Sequence, residues 1–444
     1  MSMIPVLLAT LVTFTPVDDV IRNPGCGWEC SPGAFKEVSQ LVNVGALYNR
    51  ADWSELEPEE GKYNWGRFDF GLKIAEREGL PFYFRIMASN SHSGTPYSTP
   101  KWVFDKGAKH HTYEGAVDNR ENGKPTGERT KIAPEFDDPV FIDAHRRFIE
   151  ALAKRYDGDP RIGGLDIGSF GQWGEWHCSG MGIPKHGSRY TYAQRQPYAQ
   201  MYLDNFTKST LVSMTDDYEV LKENIGSGPE SRVGLRRDGV GSPWHFARWI
   251  GTKPYDAIER MGDVWKSKPI VFEFFMNANH FAVKGWDIPF SVDWMISNHV
   301  SIVNCVPFNP ANVKDDAKIM AQCRRLDRMA GARITPASAE WMSRDRRLAV
   351  RLKGENNGIA PIILPYRLVY SLTDAAGGEI AKLVSKNDPT KWLPGPFTAT
   401  DLFTLDEDIP AGARLSVKLE ATGGKFRNFR FAVKETREDG SLAL

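Results

Sequence analysis

Two glutamates lie in segments whose composition suits acid–base chemistry. Glu175 lies in GSFGQWGEWH (168–177), between Trp173 and Trp176. Apolar neighbours of this kind disfavour the charged form of a carboxyl group, which suits a general acid that works near neutral pH. Glu273 interrupts the apolar run PIVFEFF (269–275). A carboxylate in the middle of a buried strand is costly unless it faces a polar site, so Glu273 is also a candidate catalytic residue.

The elements that must position these glutamates are predicted by the periodicity of the chain. Helical three- and four-residue spacing covers 68–78, 141–156 and 315–329. Strands are predicted at 25–30, 45–50, 81–87, 163–168, 209–215, 232–238, 269–275 and 301–308. This alternation of eight strands with helices favours a (β/α)8 TIM barrel of class α/β. The alternative is a doubly wound open sheet, which is disfavoured because no G-x-G-x-x-G follows the first strand.

Long polar segments follow the carboxyl ends of predicted strands, at 88–138, 169–191 and 239–254. Barrels of this kind place their active sites at that end. Glu175 follows the fourth strand and Glu273 ends the seventh, so the two would face each other across the barrel mouth. They could then reach the separation of roughly 5–5.5 Å that retaining glycoside hydrolysis uses.

Alternatives remain for each acid. Glu273 could be a structural acid paired with Arg85 or Arg236, and Glu175 could cap a packing loop lined by tryptophans. Asp166, inside the fourth strand, is more readily a buried structural acid hydrogen-bonded to a neighbouring strand.

Polar and aromatic residues at the same strand ends predict a sugar-binding ring. Trp173, Trp176 and Trp244 are expected to stack on sugar rings, whose C–H faces are apolar. The full set of candidate substrate-binding residues is Asn49, Arg50, Arg85, Gln172, Trp173, His177, Asp238, Trp244, His245, Asn277, His280, Trp286 and Asn304.

The texture of the chain changes after residue 331. Two-residue alternation with intervening turn signals predicts strands at 347–354, 366–374, 378–385, 413–421 and 429–436. We therefore expect a C-terminal antiparallel β-sandwich over 332–444, after a barrel over 21–331. Residues 1–20 begin with an apolar run that is either an N-terminal strand or the remnant of a signal peptide, so the localisation stays undecided between cytoplasm and periplasm or exterior.

The stretch after the second predicted strand is similar to a known motif. NRADWSELEPEEGKYNWGRFDF (49–70) resembles the W-x-x-[LI]-E-P-x-x-G-x-[YF]-x-[WF]-x-x-[FL]-D pattern of β-galactosidase-like enzymes in glycoside hydrolase clan A. The chain also resembles a group of bacterial barrel-plus-sandwich proteins of uncharacterised function that share NPGCGW (23–28) and a GxWGEWH element. The clan A resemblance implies a retaining glycosidase with Glu175 as acid/base and Glu273 as nucleophile. One departure is Gly174, since clan A acid/base glutamates usually follow an asparagine.

Composition excludes several other classes. Lys+Arg and Asp+Glu are both 56, so the balanced charge does not favour a nucleic-acid partner or a basic membrane-binding face. The N-terminal apolar run is too short to span a membrane. The five cysteines predict free thiols rather than a disulfide framework. No G-x-S-x-G motif is present to suggest a serine nucleophile.

A metal site is disfavoured as well. His110, His111 and Glu114 are close in sequence, but no HExxH motif accompanies them, and adjacent loop histidines are usually solvated. The expected function is hydrolysis of a β-linked carbohydrate without metal or cofactor. The competing classes are a non-catalytic carbohydrate-binding protein on a degenerate glycosidase barrel and, less favoured, a lyase that uses Asp238 and His245.

Overall fold

Eight parallel strands close into a barrel in the computed structural model of the chain. The structure describes residues 9–115, 120–121, 124–125, 129–182, 190–225, 231–243, 262–423 and 425–444. A short strand, β1 (Thr10–Thr13), precedes the barrel and belongs to another sheet. Around the barrel, in order, the strands are β2 (Gly27–Cys30), β3 (Val44–Asp52), β4 (Phe82–Met87), β9 (Ile162–Asp166), β10 (Leu211–Met214), β11 (Val233–Val240), β12 (Ile270–Phe274) and β13 (Ile302–Asn304). The predicted TIM barrel and its eight strands are confirmed.

Helices cover the outside of the barrel. Their bounds are α1 (Phe35–Val38), α2 (Trp53–Leu56), α3 (Gly66–Glu78), α4 (Lys101–Asp105), α5 (Pro139–Tyr156), α6 (Tyr192–Asn205), α7 (Tyr218–Ile225), α8 (Ala278–Lys284), α9 (Ile288–Ser297) and α10 (Ala317–Met329). Short 3-10 turns lie at Gln172–Gly174, Gly262–Lys266, Pro310–Val313 and Pro389–Lys391. The described helices include none that is long and apolar enough to cross a membrane.

Helix α5 illustrates how the sequence sets an element. The carboxylate of Asp138 accepts hydrogen bonds from the backbone N–H groups of Val140 and Phe141, and Pro139 occupies the first helical position. Phe141, Phe148 and other residues at helical spacing are then buried in the main core. This cap and apolar stripe explain why the 3.6-residue pattern in 141–156 identified the helix correctly.

The segment after β4 forms an insertion that the sequence did not predict. Strands β5 (His110–Glu114) and β8 (Thr130–Pro134) pair antiparallel, and β6 (Arg120–Glu121) pairs with β7 (Lys124–Pro125). The β5–β8 hairpin reaches the barrel mouth, where the Tyr113 hydroxyl donates to Gln172 Oε1 at 3.1 Å. It therefore packs against the loop that carries Glu175.

The barrel interior has two layers of different chemistry. The lower layer is an apolar cluster that includes Ala46, Val212, Val271 and Ile302. Above it the same strands present charged and polar side chains, because side chains on one face of a strand recur every second residue. Glu29, Glu273 and Asn304 lie in register on neighbouring strands in this upper layer.

The C-terminal part consists of two antiparallel sheets, which confirms the predicted β-sandwich. One sheet has the order β1, β14 (Ile334–Arg344), β15 (Arg347–Asn356), β18 (Gly395–Thr404). The other has the order β17 (Glu379–Val384), β16 (Tyr366–Thr373), β19 (Arg414–Ala421), β20 (Leu442–Ala443). The alternately buried side chains of both sheets form one apolar cluster.

The predicted strand at 429–436 is wrong. Its backbone N–H groups bond to three different segments, with Phe429 donating to Leu419, Ala432 to Ile334 and Lys434 to Thr15. The segment therefore joins separate elements and forms only isolated bridges, at Phe429 and Val433. Its alternating apolar residues are buried between those elements, which produced a strand-like pattern without a ladder.

Candidate active site

Three carboxyl groups meet at the carboxyl end of the barrel. Glu273 lies near the end of β12, Asp238 near the end of β11, and Glu175 in the loop after β9. One carboxylate oxygen from each lies within 4.8 Å of those of the other two, and all three residues are buried. The structure therefore brings the two predicted catalytic glutamates together.

The loop after β9 turns back sharply to deliver Glu175. Gly171, Trp173, Gly174 and Trp176 all have positive φ, between 54° and 80°. The Trp173 N–H donates to the Ser89 carbonyl at 2.8 Å, and the Glu175 N–H donates to the Gln172 carbonyl at 2.9 Å. These bonds direct the Glu175 side chain into the mouth, although the strand ends at Asp166.

Gly174 is required by this turn. Its φ is 69°, and a Cβ there would lie 2.9 Å from the Ile86 carbonyl oxygen and 3.0 Å from the Ser169 nitrogen. An asparagine, as clan A usually has before its acid/base, would be strained and crowded in this backbone. The departure from the clan pattern thus follows from the path of the loop.

The two tryptophans beside Glu175 differ in role. Trp176 is 2 % exposed and donates its indole N–H to the Ile167 carbonyl at 2.7 Å. The expectation that Trp176 stacks on a sugar is wrong, because its ring is buried against Phe170. Trp173 is half-buried, and its ring lies 5.5 Å from that of His92 and 5.7 Å from that of His177.

Three arginines surround the carboxyl groups. Arg236 donates to Glu273 at 2.6 Å and, through Nε, to Asp238 at 2.8 Å. Arg85 donates to Glu175 at 3.0 Å and to Asp238 at 3.3 Å. Arg50 contacts Glu273 closely, lies 3.4 Å from Glu175, and is the most exposed of the three, with 19 % of its side chain accessible. The ion pair between Glu273 and Arg236, predicted as the structural alternative to a catalytic role, is therefore also present.

Two further acids lie beneath this cluster. Asp166 accepts from Arg85 Nε at 2.8 Å and from the Tyr48 hydroxyl at 2.7 Å. Arg85 lies on the neighbouring strand β4, as the structural interpretation of Asp166 expected, and Tyr48 lies one strand further along the barrel, on β3. Glu29, which the sequence analysis overlooked, accepts from Arg236 at 2.9 Å and from Asn304 at 2.7 Å. An acid inside the apolar strand GWEC was the available signal, and it is the same signal that identified Glu273.

Burial and charge shift the ionisation of these groups. Burial raises the pKa of Glu273 to about 8, with the carboxylates of Asp238 and Glu175 adding to the rise and Arg50 and Arg236 opposing it. Burial also opposes ionisation of Asp238, but Arg236, Arg85 and Arg50 together outweigh it and hold the pKa of that carboxyl far below its usual range. The two carboxyl groups are therefore driven in opposite directions, as in sites that need one ionised and one protonated acid.

His177 contacts the acid/base candidate directly. Its Nε2 lies 3.3 Å from Glu175 Oε2, and its Nδ1 accepts from the Ser179 N–H at 3.2 Å. The neutral ring therefore carries its proton on Nε2 and donates it to Glu175. Burial lowers the pKa of His177, but the Glu175 contact outweighs this and raises it overall.

Several predicted substrate-binding residues are buried and hold other groups. Gln172 accepts from Ser89 Oγ at 3.2 Å as well as from Tyr113, while Arg85 and Asn304 donate to the acids of the cluster. We therefore expect these three to position the site rather than contact a sugar. Asn49 precedes Arg50 on β3, so strand alternation directs it to the opposite face, away from the carboxyl cluster. Asn49 is therefore removed from the predicted sugar-binding ring.

The remaining predictions concern the segments after β11 and β12. Asn277 caps α8 by accepting from the His280 N–H at 2.9 Å. The His280 and Trp286 rings lie 4.9 Å apart, and both residues are half-buried in the segment after β12. Trp244 and His245 lie outside the described residues.

In the described part of the chain, the acids that could hold a metal already have partners. Within the described ranges, Glu175, Asp238 and Glu273 are the acids with metal-ligand spacing, and the three arginines bind them. His110, His111 and Glu114 are instead neighbours on strand β5, and His111 pairs with Glu135 at 3.2 Å.

Comparisons with known proteins show a similarity over part of the chain. Residues 37–178 match the β-galactosidase family model. The resemblance stated from the sequence is thereby confirmed over this segment, which includes Glu175 and ends before Glu273. Within it, the motif residues Trp53 and Glu57 bond to each other at 2.8 Å, and Glu57 also accepts from the Gly61 N–H. The motif thus stabilises the connection from β3 to α3.

Two curated relatives are similar over part of the chain. A β-galactosidase from a Thermus species is 30% identical over 149 residues, which is 33% of this chain and 20% of that protein. A β-galactosidase from Thermus thermophilus is 31% identical over 114 residues, which is 26% of this chain and 15% of that protein. The aligned part therefore spans about a fifth or less of these relatives.

Solved structures give weaker likenesses. Endo-glycoceramidase II from a Rhodococcus species aligns over 89% of this chain and 99% of its own, with 12% identity and a TM-score of 0.42. A β-galactosidase from the psychrophilic Marinomonas ef1 aligns over 68% of this chain and 58% of its own, with 13% identity and a TM-score of 0.39.

Proposed function

We propose that this chain is a retaining glycoside hydrolase that cleaves a β-linked sugar by double displacement. The observation that carries the proposal is the pair of glutamates at the barrel mouth, with carboxylate oxygens within 4.8 Å of each other. This spacing suits direct attack on an anomeric carbon held between the two groups. An inverting enzyme needs its carboxyl groups about 6.5–9.5 Å apart to admit a water molecule.

In this mechanism Glu273 attacks the anomeric carbon and the bond to the leaving oxygen breaks. Glu175 protonates that oxygen, and afterwards takes a proton from the water that releases the sugar from Glu273. Arg236 and Arg50 contact Glu273 and orient its carboxylate. His177 and Arg85 hold Glu175 from two sides.

The charge of the cluster supports a neutral sugar as substrate. Five carboxyl groups (Glu29, Asp166, Glu175, Asp238 and Glu273) surround only three guanidinium groups (Arg50, Arg85 and Arg236), and each arginine already binds acids. No cationic surplus is left to attract a sugar acid. Among neutral sugars, the match of residues 37–178 to β-galactosidases favours a β-galactoside.

A second candidate function is non-catalytic carbohydrate binding. Arg50 favours it, because its guanidinium group contacts both glutamates and lies in the space that a reacting sugar would need. In a binding protein these ion pairs would persist, with the sugar held by Trp173 and the outer parts of the mouth.

The deciding experiment is a screen of aryl β-glycosides, with β-galactoside first, on the full chain and on three variants. Glu273→Gly should lose turnover and regain it with azide, giving the glycosyl azide of inverted configuration. Glu175→Gly should regain turnover with azide for activated substrates, giving the retained configuration. Glu114→Gln, on the exposed face of β5, is the matched control and should keep full activity.

Each alternative has its own result. Binding of sugars without turnover, equal in the full chain and in Glu273→Gly, would support the binding protein. Turnover that survives in Glu273→Gly without azide would remove the double displacement through this residue.

A further inference from the structure

Asp238 lies beside the two glutamates and has no part in the two-carboxylate mechanism. It is near the carboxyl end of β11, 8 % exposed, and its carboxylate lies within the same 4.8 Å as those of Glu175 and Glu273. Arg236 Nε donates to one of its oxygens at 2.8 Å, and Arg85 donates to the other at 3.3 Å. Two buried guanidinium groups thus fix the carboxylate on both sides.

We propose that Asp238 is a positioning residue that keeps a proton on the Glu175–Glu273 pair and so sets the pH range in which Glu273 is a nucleophile. The inference rests on the proposed function in that Glu273 is taken as the nucleophile. It goes further by giving a third carboxylate control over that role.

Charged and titratable groups of the described residues face Glu273 from several strands of the barrel. They are Glu29 from β2, Tyr48 and Arg50 from β3, Arg85 from β4, Asp166 from β9, Glu175 and His177 from the following loop, and Arg236 and Asp238 from β11. Strand β13 contributes the neutral Asn304. Carboxyl groups outnumber guanidinium groups in this set, so full ionisation leaves uncompensated negative charge in a buried space.

Arg236 decides where the proton resides. It bonds Asp238 through Nε and Glu273 through Nη2, so the two carboxylates share one cation. Asp238 has Arg85 as a second buried partner and Arg50 as a third at 3.7 Å, whereas the second partner of Glu273 is the more exposed Arg50. Asp238 therefore keeps its charge, and the proton resides on Glu273, whose pKa burial raises to about 8 with help from the Asp238 charge.

Removal of the Asp238 charge tests this directly. Asp238→Asn retains the shape and an oxygen acceptor, and leaves Arg236 and Arg50 to Glu273. Two charges within 5 Å in a partly buried site interact strongly enough that the titration midpoint of Glu273 should fall by at least about one pH unit. Asp238→Glu restores the charge and should return the midpoint towards that of the unmodified chain.

The midpoint can be measured without any substrate. The full chain is labelled with carboxyl-13C glutamate, Glu273→Gln identifies the Glu273 signal, and the chemical shift is followed with pH. We expect a midpoint near pH 8 for the unmodified chain. The matched control is Asp216→Asn, which removes a carboxylate that pairs with Arg237 at 2.8 Å, and it should leave the midpoint unchanged.

The outcomes separate this inference from the proposed function. An Asp238→Asn midpoint equal to that of the unmodified chain overturns the inference, as does an ordinary midpoint near 4.5 in the unmodified chain if Asp238→Asn does not fold. Where turnover is present, the acidic limb of kcat/KM should move with the midpoint. A shifted midpoint without turnover of any glycoside would keep the role of Asp238 and reject the hydrolase.

Discussion

Glu175 meets Glu273 at the barrel mouth although the strand before Glu175 ends at Asp166. The backbone of the loop, with its run of positive φ angles, makes up the distance. The geometry of the acid pair therefore depends on a turn as much as on the barrel, and both parts can be tested.

Gly174→Ala should lower turnover strongly and the free energy of unfolding only moderately. Its new Cβ would press on the Ile86 carbonyl at 2.9 Å and displace Glu175 from Glu273. We expect a loss of kcat/KM of at least tenfold and a stability loss of about 1–2 kcal/mol from the left-handed backbone. The control is Gly180→Ala, which has a similar φ of 78° but no neighbour within 4 Å. Equal losses of activity in the two variants would contradict the role given to the turn.

The value of kcat/KM should be highest at alkaline pH. Glu273 must be ionised to attack, and its pKa is raised to about 8. The value of kcat/KM should therefore fall about tenfold for each pH unit below that value. An aryl glycoside with a good leaving group is the substrate of choice, because it depends least on protonation by Glu175. A pH profile that is flat between pH 5 and 8 would contradict this prediction.

Trp173 and Trp176 should respond differently to substitution. Trp173→Ala should raise KM roughly tenfold with little change in the unfolding temperature, since its ring is half-buried at the mouth. Trp176→Phe should instead lower the unfolding free energy by about 1–3 kcal/mol, because the Ile167 carbonyl loses its buried donor. Steady-state kinetics and urea unfolding measure the two effects. A raised KM in Trp176→Phe together with a loss of stability in Trp173→Ala would contradict these two roles.

His145 should make the fold sensitive to acid. It is fully buried beside Phe141 and Trp53, its ring nitrogens have no hydrogen-bond partner among the described residues, and burial lowers its pKa to about 3. The stabilisation from the neutral ring is complete above the unfolded pKa of 6.5 and is lost as pH falls from there towards 3. His145→Leu should flatten this decline in urea unfolding, whereas His110→Leu, at an exposed position of β5, should leave it unchanged.

Asp327 should have the opposite effect. Burial raises its pKa to about 7, and its carboxyl accepts from the Asn43 N–H at 2.9 Å. The protonated form is favoured in the fold, so its stabilisation is complete below pH 3.8 and is lost as pH rises through 7. Asp327→Asn keeps the acceptor for Asn43 and should abolish this decline. A variant with an unchanged slope of unfolding free energy against pH would exclude Asp327 as its source.

The sequence predicted the barrel well because its strands are short apolar runs between amphipathic helices. Glu273 was identifiable since an acid in such a run needs a polar destination. The same logic applies to Glu29 in β2, the first strand of the barrel. The pairing of Arg236 with both Glu29 and Glu273 depends on closure of the barrel, which brings β2, β11 and β12 together, so no local pattern could reveal it.

Side-chain orientation was the least predictable property. Trp176 follows Glu175 directly, and only the positive φ of both tryptophans decides that one ring faces the mouth and the other the core. The segment 429–436 failed for a related reason, because alternation reports burial and not the partner that causes it.

The hairpin β5–β8 contacts the loop that carries Glu175, which is far away from it in the sequence. Tyr113 and Ser89 both donate to Gln172, three residues before Glu175 in the sequence. We therefore expect that the two segments can be replaced only together if Glu175 is to keep its position. In a chimera that receives the hairpin of another protein without that protein's counterpart of the 168–177 loop, Glu175 should no longer reach Glu273. A chimera that receives both segments from the same donor should keep the contact between the two glutamates.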